Sequence, residues 1–408
     1  MKKVIGLIFA ALYLQVSAQC PSGRYDSEIA TEFDSVKVVY GSAVPAQSTT
    51  PIDLVMDVYT PKGDTMAKRP LIIFCHGGSF ISGTRNDYDV KYLSRAFAKR
   101  GYTTATIDYR LGLDGFPPDA VIMLRSAIRA VQDGKAAVRY FYRSVIENGN
   151  PYNIDTNKIY IGGSSAGALL SLHLAYLDKD SEFTEIGTQG SLDSLGGLEG
   201  NSGNPGFSTR VHGVINLCGA LAKKEWLEPG NVPFISMHGT DDATVPYKSG
   251  YVKVSTLNII LVDGSYVIDS FAKTINVSSQ LFTWQGAGHV PYVTDQKAMD
   301  STVAFVSRNV KGWVCNSISA RPQDPTLAQE VRLFPNPANN QLFVELGSAA
   351  SQNCVISLLN VHGQEVFRMN TQGQETIRIP REDLSNGLYV LQLVTQDNRQ
   401  YTRKFIFE

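Results

Sequence analysis

Lys158-Ile159-Tyr160-Ile161-Gly162-Gly163-Ser164-Ser165-Ala166-Gly167 joins an apolar, strand-like run to a helix-like run through a glycine-rich turn. Ile159–Ile161 reads as a strand and Ala166–Leu177 as a helix. Between them, Gly163-Ser164-Ser165-Ala166-Gly167 has the form G-x-S-x-G in strand–turn–helix context. A serine on so sharp a turn lifts its Oγ out of the sheet. The residues two before and two after it would clash with neighbouring chain unless small. Ser165 is the serine this register exposes, because centring on Ser164 would require glycine at 166, where Ala166 stands.

The surrounding chain reads as alternating strands and helices. Ser35–Gly41 and Ile52–Tyr59 alternate apolar and polar, as half-buried strands do. Leu71–Cys75 is all apolar, the mark of a strand covered on both faces. Tyr92–Lys99 is a helix ended by Gly101, Thr103–Asp108 a strand, and residues 119–147 a long amphipathic helix after Pro117-Pro118. Val211–Leu217, Phe234–Met237 and Leu281–Trp284 are further strands, and Thr294–Val310 a closing helix. Alternation of this kind predicts an α/β fold with a doubly wound, mostly parallel sheet. Residues 187–206 hold seven glycines and little aliphatic periodicity, so a long flexible loop is expected there, as a partial cover over a site or a surface insertion.

At 408 residues the chain is long enough for two or three domains. With 37 Lys+Arg against 38 Asp+Glu it has no global field to hold nucleic acid. Lys2 and Lys3, the apolar run Val4–Leu14 and the small residues of Val16-Ser17-Ala18 read as a signal peptide over residues 1–18. Export exposes cysteines to oxidation. Cys20 and Cys315 stand at the two ends of the α/β region, and a bridge between them would tie those ends together; Cys75 and Cys218 read as buried thiols.

Three further motifs sit where such a sheet places chemistry, just past the ends of strands. His76-Gly77-Gly78-Ser79-Phe80 follows Leu71–Cys75. Acyl transfer builds a negative oxygen that needs unobstructed backbone N–H donors, here expected from Gly77, Gly78 and Ala166. His238-Gly239-Thr240-Asp241-Asp242 follows Phe234–Met237, with Asp241 and Asp242 competing as the acid. Gly286-Ala287-Gly288-His289 follows Leu281–Trp284. Of the six histidines, His289 alone lies after the acid in a glycine-rich loop of the α/β region. His173 reads as packing, and His238 as a strand end. Serine, acid, histidine is a recognisable chain order for a nucleophile, its orienting carboxylate and its base.

Residues 24–313 resemble the α/β-hydrolase superfamily, close to its carboxylesterase and hormone-sensitive-lipase-like branch. The resemblance rests on HGGSF (76–80), DYRLG (108–112), GGSSAG (162–167), HGTDDATVPY (238–247) and GAGHVPY (286–292). In the family pattern HGxxDxxVP the acid is the fourth residue after the histidine, which selects Asp242. Ser79 stands where the branch usually has a third glycine. The resemblance implies a serine carboxylic-ester hydrolase with Ser165 as nucleophile, His289 as base and Asp242 as acid. It implies no metal and no organic cofactor. A large helical cap has no room in the sequence, so a fairly open site is expected. Phe80, Tyr247 and Tyr292 flank the motifs, as acyl-pocket lining or as packing. A small-molecule or polysaccharide ester, acetylated or feruloylated, is the expected substrate. The rival readings are a prolyl-oligopeptidase-like serine peptidase and a non-catalytic surface binding protein on a hydrolase scaffold.

The texture changes after about residue 313. Residues 314–330 carry Pro322 and Pro325 without periodicity and read as a linker, which leaves residues 19–313 as the catalytic domain. Gln341–Leu346, Val355–Asn360, Thr376–Ile379, Leu388–Val394 and Tyr401–Phe407 are short alternating strands, with turns at His362-Gly363 and Asn386-Gly387. Residues 331–408 therefore read as a small all-β domain. FPNPANN (334–340), LSNGLYV (384–390) and KFIFE (404–408) resemble the C-terminal sorting domain of the type IX secretion system. That resemblance implies handling by the secretion machinery through 331–408, and a secreted or surface-attached product.

Overall fold

A computed structural model of the chain describes residues 20, 23–315, 330–360, 365–371, 373–382, 384–395 and 400–408. The expected signal segment 1–18, nearly all of the expected linker 314–330 and the expected turn at 362–363 lie outside the described residues. The chain divides into two compact units, Ser22–Val314 and one made of Cys315–Glu408 with the residues up to Pro21.

The larger unit runs β1 (Phe33–Ala43), β2 (Ile52–Pro61), β3 (Arg69–Cys75), α1 (Tyr88–Lys99), β4 (Thr103–Ile107), α2 (Ala120–Glu147), β5 (Ile154–Ser164) and α3 (Ala166–Tyr176). It continues with the short helices α4 (Asp180–Thr184) and α5 (Gln189–Asp193), then β6 (Val214–Leu217), β7 (Ala220–Leu221) and β8 (Phe234–Gly239). β9 (Ser249–Val254), β10 (Leu257–Gly264), α6 (Ser265–Thr274), β11 (Ser279–Trp284) and α7 (Gln296–Cys315) follow. One eight-stranded sheet has the order β1-β2-β4-β3-β5-β6-β8-β11. β1, β2 and β4 pair antiparallel; every pairing from β4 to β11 is parallel. β3, β4 and β6 are buried along their whole length, as strands covered on both faces must be, whereas β1 is an exposed edge.

The long helix α2 starts one residue after Asp119, whose carboxylate accepts from the Ile122 N–H at 2.8 Å. That cap satisfies an otherwise orphaned donor of the first turn. α1 ends before Gly101, which adopts φ +97°.

Two parts of this unit differ from the sequence reading. β9 and β10 form a hairpin that pairs with β7 in a separate three-stranded antiparallel sheet, and α6 follows it. Ser249–Val254 alternates apolar and polar only weakly, so its period is faint. Residues 187–206 are the second difference: they are not a free loop. α5 occupies part of the segment, Leu192 and Leu198 are buried, and Ser202 and Asn204 are buried polar residues. The Ser202 hydroxyl donates to Asp133 at 2.5 Å, and the Asn204 amide donates to the carbonyls of Tyr40 and Ala136. Glu199 takes Lys135 at 2.6 Å and Arg139 at 3.1 Å. The segment is a strap fastened to α2 and β1, and α2 supplies the anchoring charges.

The smaller unit carries β12 (Arg332–Phe334), β13 (Gln341–Glu345), β14 (Cys354–Leu359), β15 (Glu365–Thr371), β16 (Thr376–Pro380), β17 (Gly387–Thr395) and β18 (Gln400–Phe407). The sheets β12-β13-β16 and β15-β14-β17-β18 make a β-sandwich around Leu342, Val344, Ile356, Leu358, Leu391 and Phe405. A disulfide joins Cys20 to Cys315, 295 residues apart in sequence. In the chain-entropy description, closing so long a loop removes unfolded-state entropy worth about 5–6 kcal/mol. Among the described residues no helix is long and apolar enough to cross a membrane.

Candidate active site

Ser165 sits between β5 and α3 with φ 53° and ψ −116°, a strained conformation for a non-glycine residue. The flanking glycines make that turn possible. A Cβ on Gly167 would lie 2.0 Å from the Cys75 carbonyl oxygen, and one on Gly163 would lie 2.4 Å from Gly167 and 2.5 Å from that same oxygen. Chain passes so close to the turn on both sides that only glycine fits.

The loop after β11 brings His289 to this serine, with His289 Nε2 2.8 Å from Ser165 Oγ. On its other side His289 Nδ1 lies 2.6 Å from Asp242 Oδ2, on the loop after β8. The second carboxylate oxygen of Asp242 accepts the N–H groups of Thr244 and Val245, both at 2.9 Å. Burial would raise the Asp242 carboxyl, but hydrogen bonds from His238 and His289 outweigh it and hold the group well below the usual carboxylate range. Asp241 points elsewhere and accepts the Thr240 hydroxyl at 2.9 Å.

The turn after β3 lies against the serine. A Cβ on Gly77 would be 3.3 Å from the Ser165 Cβ. Gly78 has φ +105°, and Ser79 and Phe80 continue at φ +55° and +60°. Ser79 thus occupies a conformation that favours glycine. Tyr109 holds the turn from behind. Its ring stacks on His76 at 4.2 Å, and its hydroxyl donates to the His76 carbonyl at 2.7 Å. Ala166 is the first residue of α3, where an N–H has no acceptor within the helix.

Matches to known proteins fall on the same region. Residues 56–220 match the BD-FAE family, a span that holds the HGG turn and the serine elbow. With the sheet order and the strand–turn–helix elbow, this decides the fold. The larger unit has the α/β-hydrolase fold. Residues 332–408 match the secretion system C-terminal sorting domain.

The chain is 30% identical over 115 residues to Gut esterase 1 of Caenorhabditis elegans, a match covering 28% of this chain and 19% of that protein. It is 27% identical over 151 residues to Arylacetamide deacetylase-like 2 of Homo sapiens, covering 36% and 35%. The chain thus spans about a fifth to a third of the length of these relatives. Among solved structures, the apo form of Thermogutta terrifontis esterase 2 is similar at 20% identity and a TM-score of 0.47, covering 67% of this chain and 95% of that one.

The hydrolase unit treats the three flanking aromatics differently. Tyr292 is fully buried, and its hydroxyl lies 2.7 Å from Ser164 Oγ and donates to the Leu217 carbonyl, so it braces the elbow. Phe80 is buried as well and packs near Tyr109. Tyr247 is half-buried and lines a cavity of about 590 Å³ with Thr240, Pro246, Lys248 and Tyr266. His173 is core packing, as expected: burial pushes its imidazole down to about 4, and Nε2 accepts the Ala222 N–H at 3.3 Å.

Two residues read from sequence only as a strand end and a buried thiol lie at the site. His238 lies within 3.1 Å of Asp242, and Cys218 lies behind the site. Sγ of Cys218, a carboxylate oxygen of Asp242 and a ring nitrogen of His289 all fall within 4.8 Å of one another, a set of metal-ligand types. Burial pushes the Cys218 thiol up to about 12, and Asp242 and His289 are already bonded to each other. As arranged, Asp242 and His289 form a hydrogen-bonded pair with Cys218 beside it.

Proposed function

We propose that the hydrolase unit is a secreted serine carboxylic-ester hydrolase. Ser165 Oγ attacks the ester carbonyl while His289 Nε2 takes its proton. Asp242 holds His289 in the tautomer that leaves Nε2 free to accept, and stabilises the imidazolium that forms. The oxygen of the tetrahedral intermediate takes N–H donors from Gly77, Gly78 and Ala166, each worth on the order of 10²–10³ in rate. His289 then protonates the leaving alcohol, and an acyl group remains on Ser165. Water, deprotonated by His289, attacks that acyl carbonyl and releases the acid.

The observation that supports this reading most is the unbroken hydrogen-bonded chain from Ser165 through His289 to Asp242, with the serine on a strained elbow beside the HGG turn. The esterase and deacetylase names of the relatives support the same class. The substrate we favour is an acyl ester on a bulky or polymeric alcohol, such as acetyl or feruloyl groups of a polysaccharide. The sorting tail supports action outside the cell, reached through a cleaved signal peptide and outer-membrane translocation.

The test is hydrolysis of p-nitrophenyl esters from acetate to palmitate, and of methyl ferulate, by the secreted protein. Rates that fall with acyl length support a short-chain esterase, and methyl ferulate turnover the feruloyl substrate. A folded protein inert on all of them would remove the ester reading and favour peptide bonds.

A further inference from the structure

The acid of the hydrolase unit serves two imidazoles. Asp242 Oδ2 faces His289 Nδ1 at 2.6 Å and His238 Nε2 at 3.1 Å. His238 is fully buried at the end of β8. Its Nε2 also lies 3.0 Å from the Val245 carbonyl, so it faces two acceptors and must carry a proton. Its Nδ1 lies 2.7 Å from Ser265 Oγ. Ser265, at the start of α6, receives the Asn216 amide at 2.9 Å and lies 3.2 Å from the Gly219 carbonyl; with Nε2 protonated, its single hydroxyl proton goes to the nearer His238 Nδ1. Tyr247 covers the other side of the ring at 5.8 Å, and Cys218 adjoins the acid.

We propose that His238 is a positioning residue for the reaction: its Nε2–H fixes the Asp242 carboxylate in the one orientation that lets Oδ2 receive His289, with Ser265 setting the tautomer of His238. The inference rests on the proposed roles of Asp242 and His289. A carboxylate hydrogen-bonded only to Thr244, Val245 and His289 could rotate about its Cβ–Cγ bond without losing all partners. The added donor from a ring locked between β8 and α6 removes that freedom. It also draws charge from Oδ2, so it lowers the pull of Asp242 on the His289 proton. Removing it would leave His289 both less well placed and more easily protonated.

The experiment compares His238→Leu and His238→Gln in the full secreted chain. Gln carries an N–H donor at nearly the position of Nε2. Two readouts are taken. One is the pH dependence of Ser165 modification by phenylmethanesulfonyl fluoride, which needs no knowledge of the ester. The other is the NMR resonance of the His289 Nδ1 proton, which needs no reaction at all. His238→Leu is expected to slow modification roughly 10- to 100-fold, the size of one hydrogen bond to a charged group. Its acid limb should move to higher pH and the Nδ1 resonance should shift, while His238→Gln restores most of each. Folded His238→Leu with an unmoved resonance, or His238→Gln no better than His238→Leu, would overturn the proposal. Should His238→Leu not fold, Ser265→Ala takes its place: a shifted resonance supports the proposal and an unmoved one overturns it. A wild-type serine that resists modification would instead count against the esterase reading, and the resonance would still decide the role of His238.

Discussion

Two glycine-rich stretches of the larger unit look alike in composition and behave in opposite ways. At the serine elbow, Gly163 and Gly167 sit where a single added carbon would meet backbone within 2.5 Å. In the strap 187–206, a Cβ on Gly190, Gly197 or Gly206 would meet nothing within 4 Å. At the elbow, glycine is demanded by chain crossing chain, and the strain ends in one aimed hydroxyl. In the strap, those three glycines only ease turns, while a Cβ on Gly187 or Gly200 would press on the side chains of Phe183 or Gln132 within 2.7 Å, and the segment is held by polar contacts from α2 and β1. What separates the two is the neighbour each glycine faces, which a count of glycines does not reveal.

The comparison can be broken at either end. Gly167→Ala should be the most damaging change, because the obstructing atom is the Cys75 carbonyl and the backbone must move. We expect about 3 kcal/mol or more of destabilisation from overpacking. In whatever protein folds, about 10²-fold of activity should be lost through misplacement of Ser165. Thermal unfolding and p-nitrophenyl acetate turnover would measure both, and a neutral outcome would contradict the crossing.

Asp133→Ala tests the strap. Asp133 is fully buried and accepts from the Arg110 backbone N–H and guanidinium and from Ser202. Stranding the Arg110 charge should cost about 3–5 kcal/mol. Activity per folded molecule should stay level, since Asp133 binds Arg110 after β4 and Ser202 of the strap and touches none of Ser165, Asp242 and His289. A strap acting as a cover would show the reverse, with altered kinetics ahead of altered stability.

A smaller effect is expected from acid. The folded Asp242 carboxyl lies below its ordinary value of 3.8. The stability it contributes is therefore complete above that value and fades as pH falls below it. Asp242→Asn should flatten the dependence of melting temperature on pH in that acid range; an unchanged slope would mean the carboxylate is not held as described. Gly190→Ala should do least, shifting stability by less than about 1 kcal/mol, as read from the melting temperature. A large loss there would erase the distinction between the two stretches.

Much of this was legible in advance because it obeys simple periods. Buried parallel strands such as Leu71–Cys75 read as unbroken apolar runs, and α2 announces itself with a proline pair and Asp119. Ser165 and His289 could be named because each lies just past a strand, in a loop of small residues; the same position left Asp241 and Asp242 open, and the resemblance to the family pattern selected Asp242. The strap was misread because its order comes from partners distant in sequence: Glu199 with Lys135, Ser202 with Asp133, Asn204 with Tyr40. His238 was passed over for a similar reason. A histidine ending an apolar strand looks like packing, and only the return of the chain at Asp242, four residues on, turns its Nε2 toward a carboxylate. Tyr292 and Phe80 stand next to motifs in sequence, yet the sharp turns there fold both rings inward.

The central claim is that Ser165 carries the acyl group, and trapping that group tests it most directly. The secreted protein would be mixed with p-nitrophenyl acetate, quenched in acid within the first turnover, digested and mapped by mass spectrometry. The account predicts one acetyl group, on the peptide containing Ser165, with a matching burst of p-nitrophenol. It also predicts that Ser165→Ala shows neither, and turns over slower by on the order of 10⁶. An acetyl group on another residue, or turnover that survives in Ser165→Ala, would contradict it.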